Sequence, residues 1–229
     1  MIDGGPVLVV AAHPDDEVLG CGGTLARFSS EYTLEIAILG EGMSSRYERR
    51  AQVEAEKLSA LHRNSHQVAS KLGARELHLL GMPDNRFDEI ALLDVTKKIE
   101  RLIDGLQPSV IFTHHPGDLN IDHAIAFRAV LTATRPLSGC PVRDIYTFEV
   151  PSSTEWSFQR LEPVFKPNVF VDITNTIEVK INAMQMYETE KRAFPHPRSP
   201  DALRTIARRW GSVTGLEYAE AFELIRSIR

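Results

Sequence analysis

Only two cysteines, Cys21 and Cys140, occur among 229 residues. That is too few for a disulfide framework, and nothing in the chain points to export. No apolar run approaches the roughly 20 residues that a membrane-crossing helix needs. The N-terminus enters a strand with no basic segment before it, so the expected setting is the cytoplasm. An excess of positive charge is missing too. The formal net charge is −5, which argues against nucleic acid or an anionic membrane surface as a partner. Repeats, low-complexity tracts and linkers are absent, so residues 1–229 read as one domain. What is present, 43% hydrophobic against 25% charged residues, suffices for a substantial core. A homo-oligomer is compatible with this composition, which does not select one.

Strand and helix patterns alternate along the first part of the chain. The apolar run Pro6-Val7-Leu8-Val9-Val10-Ala11-Ala12 is a buried strand, and Thr33–Leu39, Glu76–Leu80 and Ser109–Thr113 are three more. Between them lie a long polar helix over Arg49–Leu72 and a one-faced helix over Ala91–Leu106, with Leu92, Val95, Ile99, Leu102 and Leu106 at spacings of three and four. A third helix covers His123–Thr134. Such alternation means βαβ units with right-handed crossovers. The expected fold is α/β: a Rossmann-like three-layer fold with a mostly parallel sheet and a loop-rich C-terminal third. Pro136, Pro141, Pro151, Pro163 and Pro167 then fall close together, which leaves long loops around two short strands, Ile145–Val150 and Val169–Ile173. Two or three helices close the chain. One begins at Ser199-Pro200-Asp201, with Gly211 as its stop.

The chemistry is concentrated where strands end. The first apolar run leads directly into His13-Pro14-Asp15-Asp16-Glu17, and Val18-Leu19-Gly20-Cys21-Gly22-Gly23 opens the next helix. One imidazole and three carboxylates thus crowd the carboxyl end of a strand, the usual place for ligands in open α/β sheets. Like charges packed so closely repel, and a bound cation makes the cluster tolerable. The plain alternative is a helix-capping turn with Asp15 or Asp16 as N-cap. The fourth strand ends in a second cluster, Thr113-His114-His115-Pro116-Gly117-Asp118-Leu119-Asn120-Ile121-Asp122-His123. A parallel sheet brings both strand ends to one edge, so the clusters can meet across about a hundred residues of sequence. Three of these side chains on zinc, with a fourth position open to water, make a catalytic rather than a structural site.

Ala12-His13-Pro14-Asp15-Asp16-Glu17 with the glycines after it, and the later Asp122-His123, resemble the PIG-L type (LmbE-like) family of zinc-dependent deacetylases. The resemblance implies His13, Asp16 and His123 as ligands of Zn2+, and Asp15 as the general base. It implies that Asp122 orients a ligand from behind. The implied substrate is a small molecule, an N-acetylated (or related N-acyl) amino sugar, sugar nucleotide or glycoconjugate. Two histidines and an aspartate also admit Fe2+ or Co2+. One position departs from the family pattern. Many members carry a histidine three residues before the last ligand, where this chain has Asn120. Stabilisation of the oxyanion then falls to the Asn120 amide, or to His114 or His115 from the preceding turn; His115 joins Asp15, Asn120 and Asp122 as a catalytic candidate.

Candidate substrate contacts follow from position. Arg46 and Arg63 come after the second strand, where anions can be clamped. Asn85 and Arg86 follow the third strand and share its edge of the sheet. Pro195-His196-Pro197-Arg198-Ser199 presents His196 and Arg198 on a rigid, proline-bracketed segment. His62 and His66 stand four apart on the polar helix without the Glu of a His-Glu-x-x-His motif, and read as a solvated face. His78 reads as packed, Cys21 as a small buried residue, and Glu17 as support rather than ligand. Two rival functions remain: an amidase on larger acyl or thiol conjugates, and a sugar- or nucleotide-binding protein with an inactive metal site. A dinucleotide oxidoreductase is disfavoured because Gly20-Cys21-Gly22-Gly23 does not form the Gly-x-Gly-x-x-Gly turn.

Overall fold

β1 (Val7–Ala11) is five apolar residues, all fully buried, because a central parallel strand is covered on both faces. The computed structural model describes residues 5–229; residues 1–4, part of the expected run from the N-terminus into a strand, lie outside them. The other strands are β2 (Leu34–Gly40), β3 (Glu76–Met82), β4 (Val110–His114), β5 (Asp144–Phe148), β6 (Val169–Asp172) and β7 (Ala219–Arg226). They form one sheet in the order β3-β2-β1-β4-β5-β7-β6. Pairing is parallel from β3 through β5, while β7 runs antiparallel to both β5 and β6. The helices are α1 (Asp16–Phe28), α2 (Ala55–Lys71), α3 (Leu92–Leu106), α4 (Ile121–Ala133), α5 (Ile177–Met186) and α6 (Pro200–Thr214). One core, built on Val7, Val9 and Ala11, packs the sheet against α1, α2, α5 and α6; the other, built on Leu8, Val10 and Ala12, packs its opposite face against α3 and α4. This is the expected three-layer α/β fold. Among the described residues no helix is long and apolar enough to cross a membrane.

Three elements differ from the sequence expectation. The chain ends not in a helix but in β7, which inserts between β5 and β6. Its Ala, Glu, Leu and Arg residues are good helix formers, but the sheet edges on either side override that preference. The polar helix begins at Ala55, not Arg49. Short 3-10 turns at Ser44–Arg46 and Arg50–Gln52 come first, and Val53 is extended and packs on the core. Finally, α6 passes through Gly211 and stops at the left-handed Gly215. Gly211 instead admits a close backbone: a Cβ there would lie 2.6 Å from the carbonyl oxygen of Leu216.

α1 carries the first polar cluster, and it is broken in the middle. Cys21 has φ −145° inside the helix. The break is repaired from the far end of the chain: the buried Glu220 carboxylate accepts from the amides of Gly23 and Thr24, while Lys180 Nζ donates to Leu19 O and to Glu220. Gly20 permits the close seating of this helix, since a Cβ would meet the Phe148 ring at 2.2 Å.

Candidate metal centre

Strand order reverses between β1 and β4, because the chain winds outward from β1 to β3 and returns to β4 on the other side. In open α/β sheets a ligand crevice forms outside the carboxyl ends of strands at such a switch point. The two polar clusters occupy it. Thr113 Oγ1 donates to Val10 O at 3.0 Å, and the Ala12 amide donates to His114 Nε2 at 2.8 Å, tying the strand ends together.

His13, Asp16 and His123, all buried, converge so that one ligand atom from each lies within 4.8 Å of the others. His13 Nδ1 and His123 Nε2 each stand 3.3 Å from Asp16 Oδ2. Two ligands bound at about 2.0–2.2 Å to a tetrahedral ion stand roughly 3.3–3.6 Å apart, so the spacing fits such an ion. The remaining ring nitrogens are backed by carboxylates, as metal-binding histidines usually are. His13 Nε2 lies 2.9 Å from Asp122 Oδ2 and 3.3 Å from Asp84, and His123 Nδ1 lies 3.2 Å from Asp118. Asp122 also accepts the Phe87 amide, and Asp118 is fixed by Ser153 and Thr154. His13, Asp84 and Asp122 form a second group of potential ligands. Only the first group leaves both imidazoles free to face an ion and explains why their far sides meet acids.

The electrostatics agree. Burial pushes the His123 imidazole down, but Asp16 and Asp118 outweigh it and lift it to about 9. Burial likewise pushes Asp16 up, and the imidazole charges of His123 and His114 overcome it to hold Asp16 well below the ordinary carboxylate range. Asp118 is held at about 2 against its own burial by His123, Ser153 and Thr154. A divalent ion held by these side chains would compete with their protons.

Asp15 stands beside the triad without joining it. Its φ of 103° is left-handed, an uncommon and strained value for a non-glycine residue. Its side chain caps nothing; it accepts from Arg198 at 2.6 Å. Its amide donates to Glu17 Oε2 at 3.1 Å, and Glu17 in turn accepts from the buried Tyr187 hydroxyl at 2.6 Å. Burial pushes the Asp15 carboxyl well up, Arg198 pulls it partly down, and Asp16 and Glu190 push it up again. A strained, buried carboxyl pushed up in pKa beside three potential metal ligands has the character of a general base.

The triad and Asp15 line a polar cavity of about 150 Å³. Arg46, Asn85, Asn120 and Arg198 line it as well. Asn120 caps α4 by accepting the Asp122 amide, and its Nδ2 donates to Asn85 Oδ1 at 2.9 Å. Arg46 and Arg198 both pair with Glu190. Other expected residues lie elsewhere. His115 is turned away, placed between Glu223 at 3.0 Å and the Pro163 carbonyl at 2.7 Å. His114 is fully buried behind the triad, stacked on His123 with centroids 4.0 Å apart. Neither histidine lines the cavity, which offers the amides of Asn120 and Asn85 and the guanidinium of Arg198. Arg63 is exposed and Arg86 half-buried, and they are held by Glu56 at 2.8 Å and Glu89 at 2.9 Å on their own segments, outside the cavity. His196 does not line it; its Nδ1 accepts the Arg198 amide at 3.2 Å and its ring lies edge-on to Trp156. Ser152, Ser153 and Glu190 line the cavity unforeseen, since no local pattern distinguishes them in the sequence.

Residues 8–134, more than half the chain and including the whole triad, match the family model described as PIG-L: GlcNAc-PI de-N-acetylase. The chain belongs to the PIG-L family. A diacetylchitobiose deacetylase from Thermococcus kodakarensis is 26% identical to this PIG-L chain, over 97% of it and 84% of the relative. The solved N,N'-diacetylchitobiose deacetylase from Pyrococcus horikoshii superposes with a TM-score of 0.78 at 21% identity, covering 98% of this chain and 85% of the other. GalB, a 4-carboxy-2-hydroxymuconate hydratase from Pseudomonas putida KT2440, superposes with a TM-score of 0.74 at 21% identity, covering 98% of each. These two structures share the fold, which thus houses more than one reaction.

Proposed function

We propose that this chain is a metal-dependent hydrolase that removes the N-acetyl group from an amino sugar, free or within a sugar nucleotide or glycoconjugate. The observation that carries the reading is Asp15: a buried carboxyl beside, but not part of, a triad whose ligand spacing fits a tetrahedral ion. The 26% identity to the diacetylchitobiose deacetylase of Thermococcus kodakarensis supports the same chemistry. His13, Asp16 and His123 would hold a zinc ion, which when bound would supply Lewis acidity to the acetamide carbonyl and to water. Asp15 accepts the proton of the attacking water. As the carbon–nitrogen bond breaks, the same carboxyl returns a proton to the departing nitrogen, so that amide and water become amine and acetate. Asn120, whose amide already points toward the Asn85 side of the cavity, supplies a neutral donor for the oxyanion. Arg198 fixes the Asp15 carboxylate and, with Arg46 and Ser152, offers hydrogen bonds to sugar hydroxyls.

The test is amine release from a panel of N-acetyl amino sugars, with metal analysis of protein purified without chelator. Release that tracks zinc content supports the reading, and activity restored better by Fe2+ or Co2+ would reassign the ion. A fully metal-loaded protein that binds sugars but frees no amine would overturn it.

A further inference from the structure

A second cavity, of about 480 Å³, lies beside the catalytic one. Val164, Phe165, Phe194, Pro197, Ile206 and Trp210 make most of its wall apolar. Its polar members, Glu149, Thr154, Glu155, Ser157, Gln159, Thr205 and Arg209, interrupt that apolar wall. The Trp210 indole donates to Glu149 Oε1 at 2.5 Å, and the Arg209 guanidinium lies 4.0 Å from the Trp210 ring centroid. The partition between the cavities is a single thickness of chain. Pro151 and Thr154 face the apolar cavity, while Ser152 and Ser153 between them face the polar one; Pro197 and Arg198 divide in the same way. Gly117 follows β4 and Glu149 follows β5, so both cavities open at the carboxyl edge of the sheet.

Size separates the roles of the two spaces. Ligand pockets run from about 300 to 1,000 Å³. The polar cavity falls below that range and holds a reacting acetamide with part of a ring; the apolar one falls within it. Resting on the deacetylase reading above, we propose that the substrate is amphiphilic: an N-acetyl amino sugar whose aglycone is an apolar group seated in the second cavity. The dividing strip says which arm of the substrate crosses. Between the triad and the apolar cavity stand Asp15, Arg198 and Ser152, linked by hydrogen bonds of 2.6 and 2.8 Å. Hydroxyls of a sugar ring can join that strip. An acyl chain, which begins at the reacting carbon, would lay methylenes across an ion pair.

The experiment uses the metal-loaded full chain and three substrates: methyl N-acetylglucosaminide, its hexyl counterpart, and methyl N-hexanoylglucosaminide. Calorimetric titration with hexyl glucoside, which carries no amide, is run beside them. The hexyl N-acetyl glycoside should exceed the methyl one by at least roughly tenfold in kcat/KM, from burial of the added methylenes. Hexyl glucoside should bind saturably. Ala202→Phe and Thr205→Phe, two separate ways of filling the cavity from α6, should each remove the preference and the binding heat. Equal kcat/KM for methyl and hexyl glycosides overturns the proposal, as does a preference for the N-hexanoyl compound alone, which would assign the cavity to the acyl arm. If no glycoside releases amine, the deacetylase reading fails; the titration still decides the cavity, since absence of heat overturns its assignment and heat abolished by both fillings upholds it.

Discussion

The part of the chain up to residue 134 and the part after it build the site in different ways. The first supplies the parallel strands β1 to β4, the triad and every carboxylate behind it: Asp84, Asp118 and Asp122. His13, Asp16, Asp84 and Asp118 sit within five positions of a strand end, and Asp122 and His123 in the first turn of α4 after β4, where a parallel sheet gathers side chains without long-range design. The second supplies the antiparallel strands β6 and β7, the helices α5 and α6, and the residues that close over the first part: Ser152, Glu190 and Arg198. It also sends the Lys180–Glu220 pair under α1 to mend the break at Cys21. Chemistry is held by short loops on a fixed edge, and the shape of the pocket by chain returning from far away.

If that division holds, substitutions in the first part remove the reaction, and those in the second retune it. The largest effect belongs to the triad. Asp16→Ala should abolish stoichiometric metal binding and lower turnover on the order of 10³-fold or more, because Lewis acidity and activated water vanish together. Metal analysis after dialysis reads the first and amine release the second; a variant that keeps both would place the ion elsewhere. Asp15→Asn should keep the metal and lose about 10²–10⁴-fold in kcat, the range of a positioned general base. Near-normal turnover in the metal-loaded variant would take Asp15 out of the reaction. Asp118→Asn, one bond removed from the ion, should weaken metal affinity by roughly 10- to 100-fold with the fold intact. Competition with a chelator measures it, and unchanged affinity would show that Asp118 serves only Ser153 and Thr154.

The same division explains what the sequence discloses. His13, Asp16 and His123 are readable because a period-free apolar run followed by acids and imidazoles is a local pattern, and the parallel topology does the rest. The backing of His123 by Asp118 is only half visible: the residue lies in the right loop, but nothing in the sequence says which acid meets which ring. His115 illustrates the limit. It neighbours His114 in a polar turn, yet successive residues at a strand end point in opposite directions, and its ring is spent between Glu223 and Pro163. β7 is illegible for another reason. Residues Ala219 to Arg226 favour a helix by intrinsic preference, and only the vacant edges of β5 and β6 make them a strand. Glu190 reaches the cavity from a loop with no periodicity at all.

Arg198 sharpens the comparison most finely, since it belongs to the second part but touches Asp15 of the first. Its guanidinium donates to Asp15 at 2.6 Å and to Ser152 at 2.8 Å, and its positive charge draws the Asp15 carboxyl down against burial and the neighbouring acids. Asp15 acts as a base only when deprotonated. Removing the guanidinium in Arg198→Ala lets its pKa rise, so the acid limb of the kcat/KM profile should move to higher pH. A bound ion lowers Asp15 in both proteins and leaves the direction of the difference unchanged. A hydrogen bond to a charged group contributes about 1.5–3 kcal/mol, and the partial solvent access of Arg198 puts the loss near neutrality at the low end, on the order of tenfold. The loss should shrink as pH rises and the carboxyl ionises again. Metal content should stay at the wild-type level, and Arg198→Lys, which restores a cation, should move the limb back toward its original position. A loss uniform across pH, unrelieved by lysine, would make Arg198 a structural strut for the 195–199 segment and leave the tuning of Asp15 to the first part alone.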